Sequence, residues 1–376
     1  MKKILVIASL ANSFLGFRKP LLLALVNRGL KVHVAAPLIS TNIAVNKELK
    51  KYGIITHDIA MQRTGVNPLS DLKTTIDLYS LMKKIQPDLT LGYTIKPVIY
   101  GNIAAWCSRV PRRYALITGL GYAFQESADN NQRKIIRSIV QGLYRFALNK
   151  TSSVFFQNPD DEALFRERKI LTEKTPSFVV NGSGVDLNEY PETSLNNSKI
   201  RFLFVGRLLG DKGIREYIKA AEIIKKQYQN IEIDIVGSLD INPDAIQQPE
   251  LDSWIESGAI NYFGKLNDVR PRIADASVFI LPSYREGVPR STLEAMSMGR
   301  AIITTDAPGC KETVIDGENG FLVPVKNSEL LVNAMEKFIL NPELIKSMGK
   351  KSRMIAEEKF DVKKVNQQML QGMELL

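Results

Sequence analysis

Two short stretches of this chain combine residue types that could hold a phosphorylated ligand. In the first, SYREGVPRSTLEAMSMGR at 283–300, Glu286 and Glu294 are separated by seven residues. Gly287 and Pro289 make its opening a loop, TLEAMSMG then begins a helix, and the preceding SVFILP reads as a buried strand. A loop that enters a helix after a buried strand aims backbone N–H groups and the positive end of the helix dipole at one place, which suits a phosphate. Glu294, one turn into the helix, can accept hydrogen bonds from a ribose diol. Glu286, on the loop, can do the same for sugar hydroxyls. Spacing alone leaves open that both are ordinary surface residues. The second stretch, VGRLLGDKG at 205–213, ends a strand and enters a helix. Gly206 lets the backbone approach a ligand closely. Arg207 and Lys212 lie across a tight loop, where a planar fork and a point charge can converge on a diphosphate. Two such residues can equally be solvated.

Both stretches need elements to position them, and the chain supplies a repeated strand–helix theme. ILVIASL at 4–10, the helix RKPLLLALVNRG and the strand KVHVAAP form a βαβ unit, which predicts a parallel sheet. Further strands are read at 88–92, 114–117 and 153–157. A polar, aperiodic segment at 186–199 is the best linker. The theme then restarts with KIRFLFVGR, REYIKAAEIIKKQ, IEIDIVG, INYFG, SVFILPS and AIITTD. The fold class expected is α/β, two Rossmann-like doubly wound parallel-sheet domains facing a central cleft, with ligands at the carboxyl ends of the strands. The domains are placed at 1–188 and 189–357, with a last helix at about 358–376 packing back on the first.

Composition narrows the class. The 376 residues are 44% hydrophobic and 24% charged, ordinary for a globular chain. Cys107 and Cys310 stand far apart and give neither a disulfide framework nor a zinc spacing, so a reducing compartment is expected. MKKILVIASLANSF reads as a buried first strand rather than a leader, and no apolar run reaches the length of a membrane span. The net charge is +10; residues 1–190 hold 26 Lys/Arg and 14 Asp/Glu, or +12, and residues 191–376 hold 24 and 26, or −2. A one-sided basic field attracts nucleic acid, anionic lipid or phosphorylated ligands. Nucleic acid is the weakest of these, because no helix-turn-helix, zinc-finger or RNA-recognition signature is present and stacking aromatics do not interleave the basic residues. RKIIRSIVQGLYRFALNK at 133–150 reads as a basic amphipathic helix: Arg133, Lys134, Arg137, Arg145 and Lys150 punctuate Ile135, Ile136, Ile139, Val140, Leu143, Phe146 and Ala147. Such a helix can lie in a membrane interface or turn its apolar side to a core. His33, in a strand, and His57, read in a loop, are the only histidines and are taken as structural or exposed.

As a unit, FVGRLLGDKG, NYFGKLNDV and the run from Tyr284 to Pro324 resemble glycosyltransferase family 4, a retaining family with the GT-B fold. The resemblance covers essentially the whole chain. It implies a hexosyltransferase whose catalytic set includes Arg207 and Lys212 on the nucleotide diphosphate and Glu286 on the donor sugar. It also implies that Glu294 contacts the ribose, and that Gly206 and the backbone of Val288, Arg290, Ser291, Thr292 and Leu293 contact phosphate and sugar. Pro289 stands where many members have Gly and brings no N–H. Many members also carry a His where this chain has Thr118-Gly119, so no catalytic His is carried over. FRKPLLLAL, LITGLGYAF and NGSGVDLNEY resemble bacterial members that extend glycans on a polyprenyl-diphosphate carrier. The expectation is therefore a UDP-sugar donor, a polyprenyl-diphosphate-linked acceptor and no metal or other cofactor. The enzyme would sit peripherally on the inner face of the cytoplasmic membrane. A transferase with a soluble acceptor, a sugar-nucleotide epimerase and a basic nucleic-acid-binding protein are the alternatives.

Overall fold

The computed structural model describes residues 1–62, 65, 67–120, 131–195, 199–240, 242 and 244–376, the side chains of 131–133 excepted. It divides into two compact units, Met1–Ser183 with Val365–Leu376, and Gly184–Lys364.

The first unit runs β1 (Lys3–Ile7), α1 (Ser13–Gly16), α2 (Lys19–Asn27), β2 (Lys31–Ala36), α3 (Ile43–Lys50), β3 (Ile55–Asp58), α4 (Pro68–Ile85) and β4 (Leu89–Tyr93). A π-turn at Pro97–Gly101 leads into α5 (Asn102–Cys107), followed by β5 (Arg112–Ile117), α6 (Asn131–Leu148), β6 (Ser153–Phe156), α7 (Pro159–Glu167) and β7 (Ser177–Val179). The strands form one parallel sheet in the order β3-β2-β1-β4-β5-β6-β7. Helices cover both faces, which is why strands such as β1 are apolar on both sides. Ile4 and Val6 pack with Leu21 and Leu22 of α2, whereas Leu5 and Ile7 pack with Leu78 and Met82 of α4 and Ala104 of α5. Pro68 sits in the first turn of α4, and the Asn67 side chain caps it by accepting the Ser70 amide at 3.2 Å.

Two readings change here. His57 lies in strand β3, not a loop. The strand is short and at the sheet edge, and ITHD carries too little apolar pattern to announce it. Its Nε2 is 2.9 Å from His33 Nδ1, and burial pushes the His33 imidazole down to about 4. On α6, Val140, Tyr144, Ala147 and Leu148 are buried, while Ile135, Ile136, Ile139 and Phe146 are exposed. The helix is apolar toward the core and toward the outside at once.

The second unit runs β8 (Ile200–Val205), a 3₁₀ turn at Gly210–Lys212, α8 (Ile214–Gln227), β9 (Ile231–Val236), α9 (Gln248–Glu256), β10 (Asn261–Tyr262), α10 (Arg270–Asp275), β11 (Val278–Leu281) and α11 (Arg290–Ser297). It continues with β12 (Ala301–Thr305), β13 (Gly320–Val323), α12 (Ser328–Leu340), α13 (Glu343–Ile355) and a second π-turn at Ala356–Phe360. Its parallel sheet has the order β10-β9-β8-β11-β12-β13. α14 (Val362–Gly372) ends the chain's helices. Its Val365, Met369 and Leu370 join the core of the first unit beside Tyr114 and Phe155, and the Tyr114 hydroxyl donates to the Met373 carbonyl at 2.9 Å.

Both sheets share one topological feature. The first strand of each, β1 or β8, lies between the second and the fourth, so the strand order reverses at β1/β4 and at β8/β11. Crevices at the carboxyl ends of strands open at such points, and ligands of open α/β sheets bind there.

Candidate functional site

In the second unit the two predicted stretches are the loops that leave β8 and β11, so the reversal brings them side by side. After β8 the chain turns through Gly206, whose amide donates to the Val236 carbonyl at 3.0 Å. The 3₁₀ turn then places Lys212 just before α8. Gly213 follows with φ +68°, and a Cβ there would sit 2.1 Å from the Pro282 carbonyl oxygen. No other residue lets the β8 loop lie this close to the end of β11.

The contact has a chemical result. Lys212 Nζ bonds Glu286 Oε1, and the same oxygen accepts from Ser283 Oγ at 2.8 Å. Both side chains are largely sheltered, at 17% and 15% exposure, so the pair is only partly screened by water. The Glu286 loop is held from below. Its amide donates to the Pro308 carbonyl at 2.9 Å, and Gly309, at φ +82°, passes so close that a Cβ would lie 2.2 Å from the Glu286 carbonyl oxygen. Cys310 is fully buried, and burial together with the nearby Glu286 carboxylate pushes its thiol up to about 12, so it stays a neutral, inert thiol.

Arg207 does not share the Lys212–Glu286 pair. It is exposed and bonds Asp240 Oδ2 at 3.0 Å on the loop after β9. Glu294 lies inside α11, 8% exposed. Burial raises its carboxyl above the usual range, against the pull of Arg290, whose Nε donates to Glu294 Oε1 at 2.8 Å, and of the Tyr190 hydroxyl that bonds it. Of the residues whose backbone was expected to meet the ligand, Val288, Thr292 and Leu293 are buried, and Arg290 and Ser291 are half-buried. The Thr292 and Leu293 amides already donate to the Pro289 carbonyl at 3.1 and 3.2 Å.

Four residues of this neighbourhood escaped the sequence reading: Asp240, Ser283, Tyr190 and Gly309. Ser283 opens the 283–300 stretch and Gly309 lies within the run from Tyr284 to Pro324, and their roles appear only when β11 and β12 are laid side by side. Asp240 and Tyr190 carry no sequence signal that links them to Arg207 and Glu294.

The first unit has a different crevice at its reversal. Ser9, past β1, and Thr94, past β4, face each other with hydroxyls 3.1 Å apart. Thr94 holds φ +69°, a left-handed backbone that a β-branched residue rarely adopts. Tyr93 bonds Ser13 Oγ at 2.7 Å and lies under the Arg18 guanidinium, 5.1 Å from the ring centre. Lys96 and Tyr100 both bond the buried Asp71 of α4, at 2.7 and 2.9 Å. Thr118 and Gly119 are described; the rest of LITGLGYAF from 121 onward lies outside the described residues, as does the 126–130 segment ahead of α6. No group of three or more His, Cys, Asp or Glu able to hold a metal occurs among the described residues, and no described helix is long and apolar enough to cross a membrane.

Residues 188–354 match the family model "Glycosyl transferases group 1", and residues 3–158 match "Glycosyl transferase 4-like". An N,N'-diacetylbacillosaminyl-diphospho-undecaprenol alpha-1,3-N-acetylgalactosaminyltransferase of Campylobacter jejuni is 24% identical over 347 residues, covering 89% of this chain and 88% of its own. A UDP-Gal:alpha-D-GlcNAc-diphosphoundecaprenol alpha-1,3-galactosyltransferase of Escherichia coli is 28% identical over 317 residues, 80% of this chain and 78% of its own. Among solved structures, a sucrose-phosphate synthase from Thermosynechococcus elongatus superposes with a TM-score of 0.80 at 19% identity, covering 99% of this chain and 98% of that one.

Proposed function

The chain is a GT-B glycosyltransferase, an enzyme of the hexosyltransferase class, that joins a 4-like domain to a group 1 domain, and from that premise we propose its substrates. It moves an N-acetylhexosamine or hexose from a UDP-sugar to a polyprenyl-diphosphate-linked glycan during assembly of a bacterial surface polysaccharide or glycoprotein glycan. The observation that carries this reading is the meeting of Lys212 and Glu286 at the β8/β11 reversal. The C. jejuni and E. coli relatives, whose names specify diphospho-undecaprenol acceptors, support the acceptor class.

Arg207 and Lys212 take the diphosphate, Glu286 the donor sugar's hydroxyls, and Glu294 the ribose. Before the donor arrives, Lys212 and Glu286 satisfy each other. The diphosphate competes for Lys212, and the released Glu286 then accepts from the sugar. The acceptor hydroxyl attacks the anomeric carbon on the face the diphosphate leaves. One C–O bond forms as the other breaks, the departing phosphate oxygen takes the acceptor's proton, and configuration is retained. Negative charge growing on the leaving diphosphate is met by two fixed cations and the start of α11, so no metal is called on. The neutral hydroxyls of Ser9 and Thr94 suit the acceptor saccharide. α6, with Lys134 and Arg137 beside exposed Ile135, Ile136 and Ile139, suits the anionic inner leaflet; Arg133's side chain lies outside the described residues.

A panel of UDP- and GDP-sugars, assayed for nucleotide release and for product on a polyprenyl-diphosphate-linked acceptor, tests the reading. Transfer from one UDP-sugar to the lipid-linked acceptor is expected. Transfer only to soluble acceptors, or interconversion of the sugar nucleotide without transfer, overturns it.

A further inference from the structure

α4, α5 and α6 lie side by side on one face of the first sheet. Their outward surface holds something that neither helix 133–150 alone nor the active site explains. On α4, Thr74, Leu78, Met82 and Ile85 turn inward. Leu69, Leu72, Ile76 and Tyr79, spaced by three, four and three residues, point out; Leu69 is 79% exposed. This second apolar stripe is exposed along its length, with Lys83 Nζ 6.0 Å from the Tyr79 ring centre. It continues across α5. The Ser108 hydroxyl donates to the Tyr79 carbonyl at 3.4 Å, and the exposed Trp106 meets Phe146 of α6 edge-on at 5.8 Å between ring centres. Lys150 Nζ covers both rings, at 4.9 and 5.8 Å. The apolar surface of α6 is thus one flank of a wider face.

Charge identifies what covers that face. α5 and α6 contain no acidic residue. The acids of α4 are turned away: Asp71 is buried on Lys96 and Tyr100, and Asp77 accepts the Ala60 amide at 3.3 Å. Exposed Lys73, Lys83 and Arg109 border the stripe and Trp106. Apolar side chains bordered by cations on helices whose described acids are absent or turned away, with a tryptophan and a tyrosine among them, match the interface of an anionic bilayer, where rings sit at the headgroup level and cations meet lipid phosphates.

We propose that the outer surface of α4, α5 and α6 is a bilayer-docking face, in which Leu69, Leu72 and Ile76 of α4 and Trp106 of α5 enter the interface beside α6. The proposal rests on the reading of a lipid-linked acceptor and adds the residues that enter the lipid. Each helix runs opposite to the strands, so the Leu69 end of α4 lies at the carboxyl edge of the sheet, the edge that carries Ser9 and Thr94. Docking this face brings that crevice to the headgroup level.

Sedimentation with vesicles of phosphatidylcholine and phosphatidylglycerol, compared with phosphatidylcholine alone, tests it. The native chain sediments with the anionic vesicles. The Leu72→Glu/Ile76→Glu variant loses roughly 100-fold in partitioning, the change expected from withdrawing leucine-sized side chains from the interface. A second measurement needs no change on the stripe. In a Trp254→Phe chain, Trp106 is the sole tryptophan, and its emission shifts to the blue and is quenched by brominated lipid. Wild-type sedimentation of the double variant, an unshifted Trp106 in sedimenting protein, or a native dimer that the double variant dissolves overturns the proposal. A water-soluble short-chain diphosphate acceptor separates it from the substrate reading. The double variant keeps native turnover on that acceptor; native protein that docks yet transfers to neither acceptor refutes the substrate reading alone.

Discussion

The two units solve the same topological problem and fill the resulting crevice differently. In the second, the reversal between β8 and β11 is occupied by an ion pair, Lys212 with Glu286, and Arg207 stands by on Asp240. In the first, the reversal between β1 and β4 is occupied by two neutral hydroxyls, Ser9 and Thr94, the latter in a strained backbone, while Lys96 is committed to Asp71. One crevice keeps charges that a charged ligand can take over. The other spends its charges on structure and offers hydroxyls. The same fold thus leaves an ion pair at one reversal and hydroxyls at the other, and the side chains after two strands decide which; in the function proposed above, the first receives the diphosphate and the second the saccharide.

That contrast can be broken in several places. The largest effect is expected where charge is structural. Asp71→Ala strips the sheltered Lys96 and Tyr100 of their partner, and removing one member of a buried pair costs about 3–5 kcal/mol. Denaturant unfolding should show that loss in the first unit, with nucleotide affinity of the folded protein unchanged. Where the proposed function calls on charge, Lys212→Ala or Arg207→Ala removes a charge-assisted contact of about 1.5–3 kcal/mol, so kcat/KM for the donor falls roughly 10–150-fold. Wild-type turnover in both variants would sink the diphosphate assignment.

The acid limb sharpens the comparison from another side. The His33 imidazole titrates near 4 in the folded chain and near 6.5 when unfolded, so the unfolded state binds more protons between those values. Stability from this group is complete above about 6.5 and is lost as the pH falls toward 4. Thermal melts across that range should show the decline, and His33→Gln should reduce it, leaving the share of His57, whose imidazole burial also lowers. A smaller change is expected at Thr94. Thr94→Gly relieves a left-handed conformation that costs about 1 kcal/mol or more. It should raise the melting point slightly while raising KM for the acceptor. Native acceptor kinetics in that variant would separate the strain from acceptor binding. The smallest effect is reserved for EDTA. Turnover should be unchanged by it, and loss restored by Mg²⁺ or Mn²⁺ would show that Arg207, Lys212 and α11 do not carry the leaving charge unaided.

Much of the fold could be read from the sequence because parallel sheets covered on both faces leave continuous apolar runs, such as FLFV and VFIL, between helical periods. β3 escaped that reading because ITHD lies at an edge and is half polar. The loops of the candidate site were visible through residue types: Gly beside Arg and Lys, and two glutamates around a helix start. Their partners were not. That Lys212 meets Glu286 depends on β8 lying next to β11, and that Arg207 meets Asp240 depends on β9 lying next to β8; strand order is a long-range property that no local spacing contains. The outward stripe of α4 was hidden for a related reason. A helix with two apolar faces has no single moment to read, and only the packed sheet says which face is left over.

α14 carries a consequence for how the protein is made. Translation delivers β1 through β7 first, yet the layer over Tyr114 and Phe155 stays open until Val365, Met369 and Leu370 emerge. At about 5–20 residues per second, the intervening Gly184–Lys364 unit takes roughly 10–40 s to synthesise. For that interval the earlier-made sheet waits on the ribosome with an apolar face uncovered, and the later-made unit is the first able to complete its core. Nascent chains arrested just before residue 365 should therefore bind chaperones through the first unit, and release them once α14 is out.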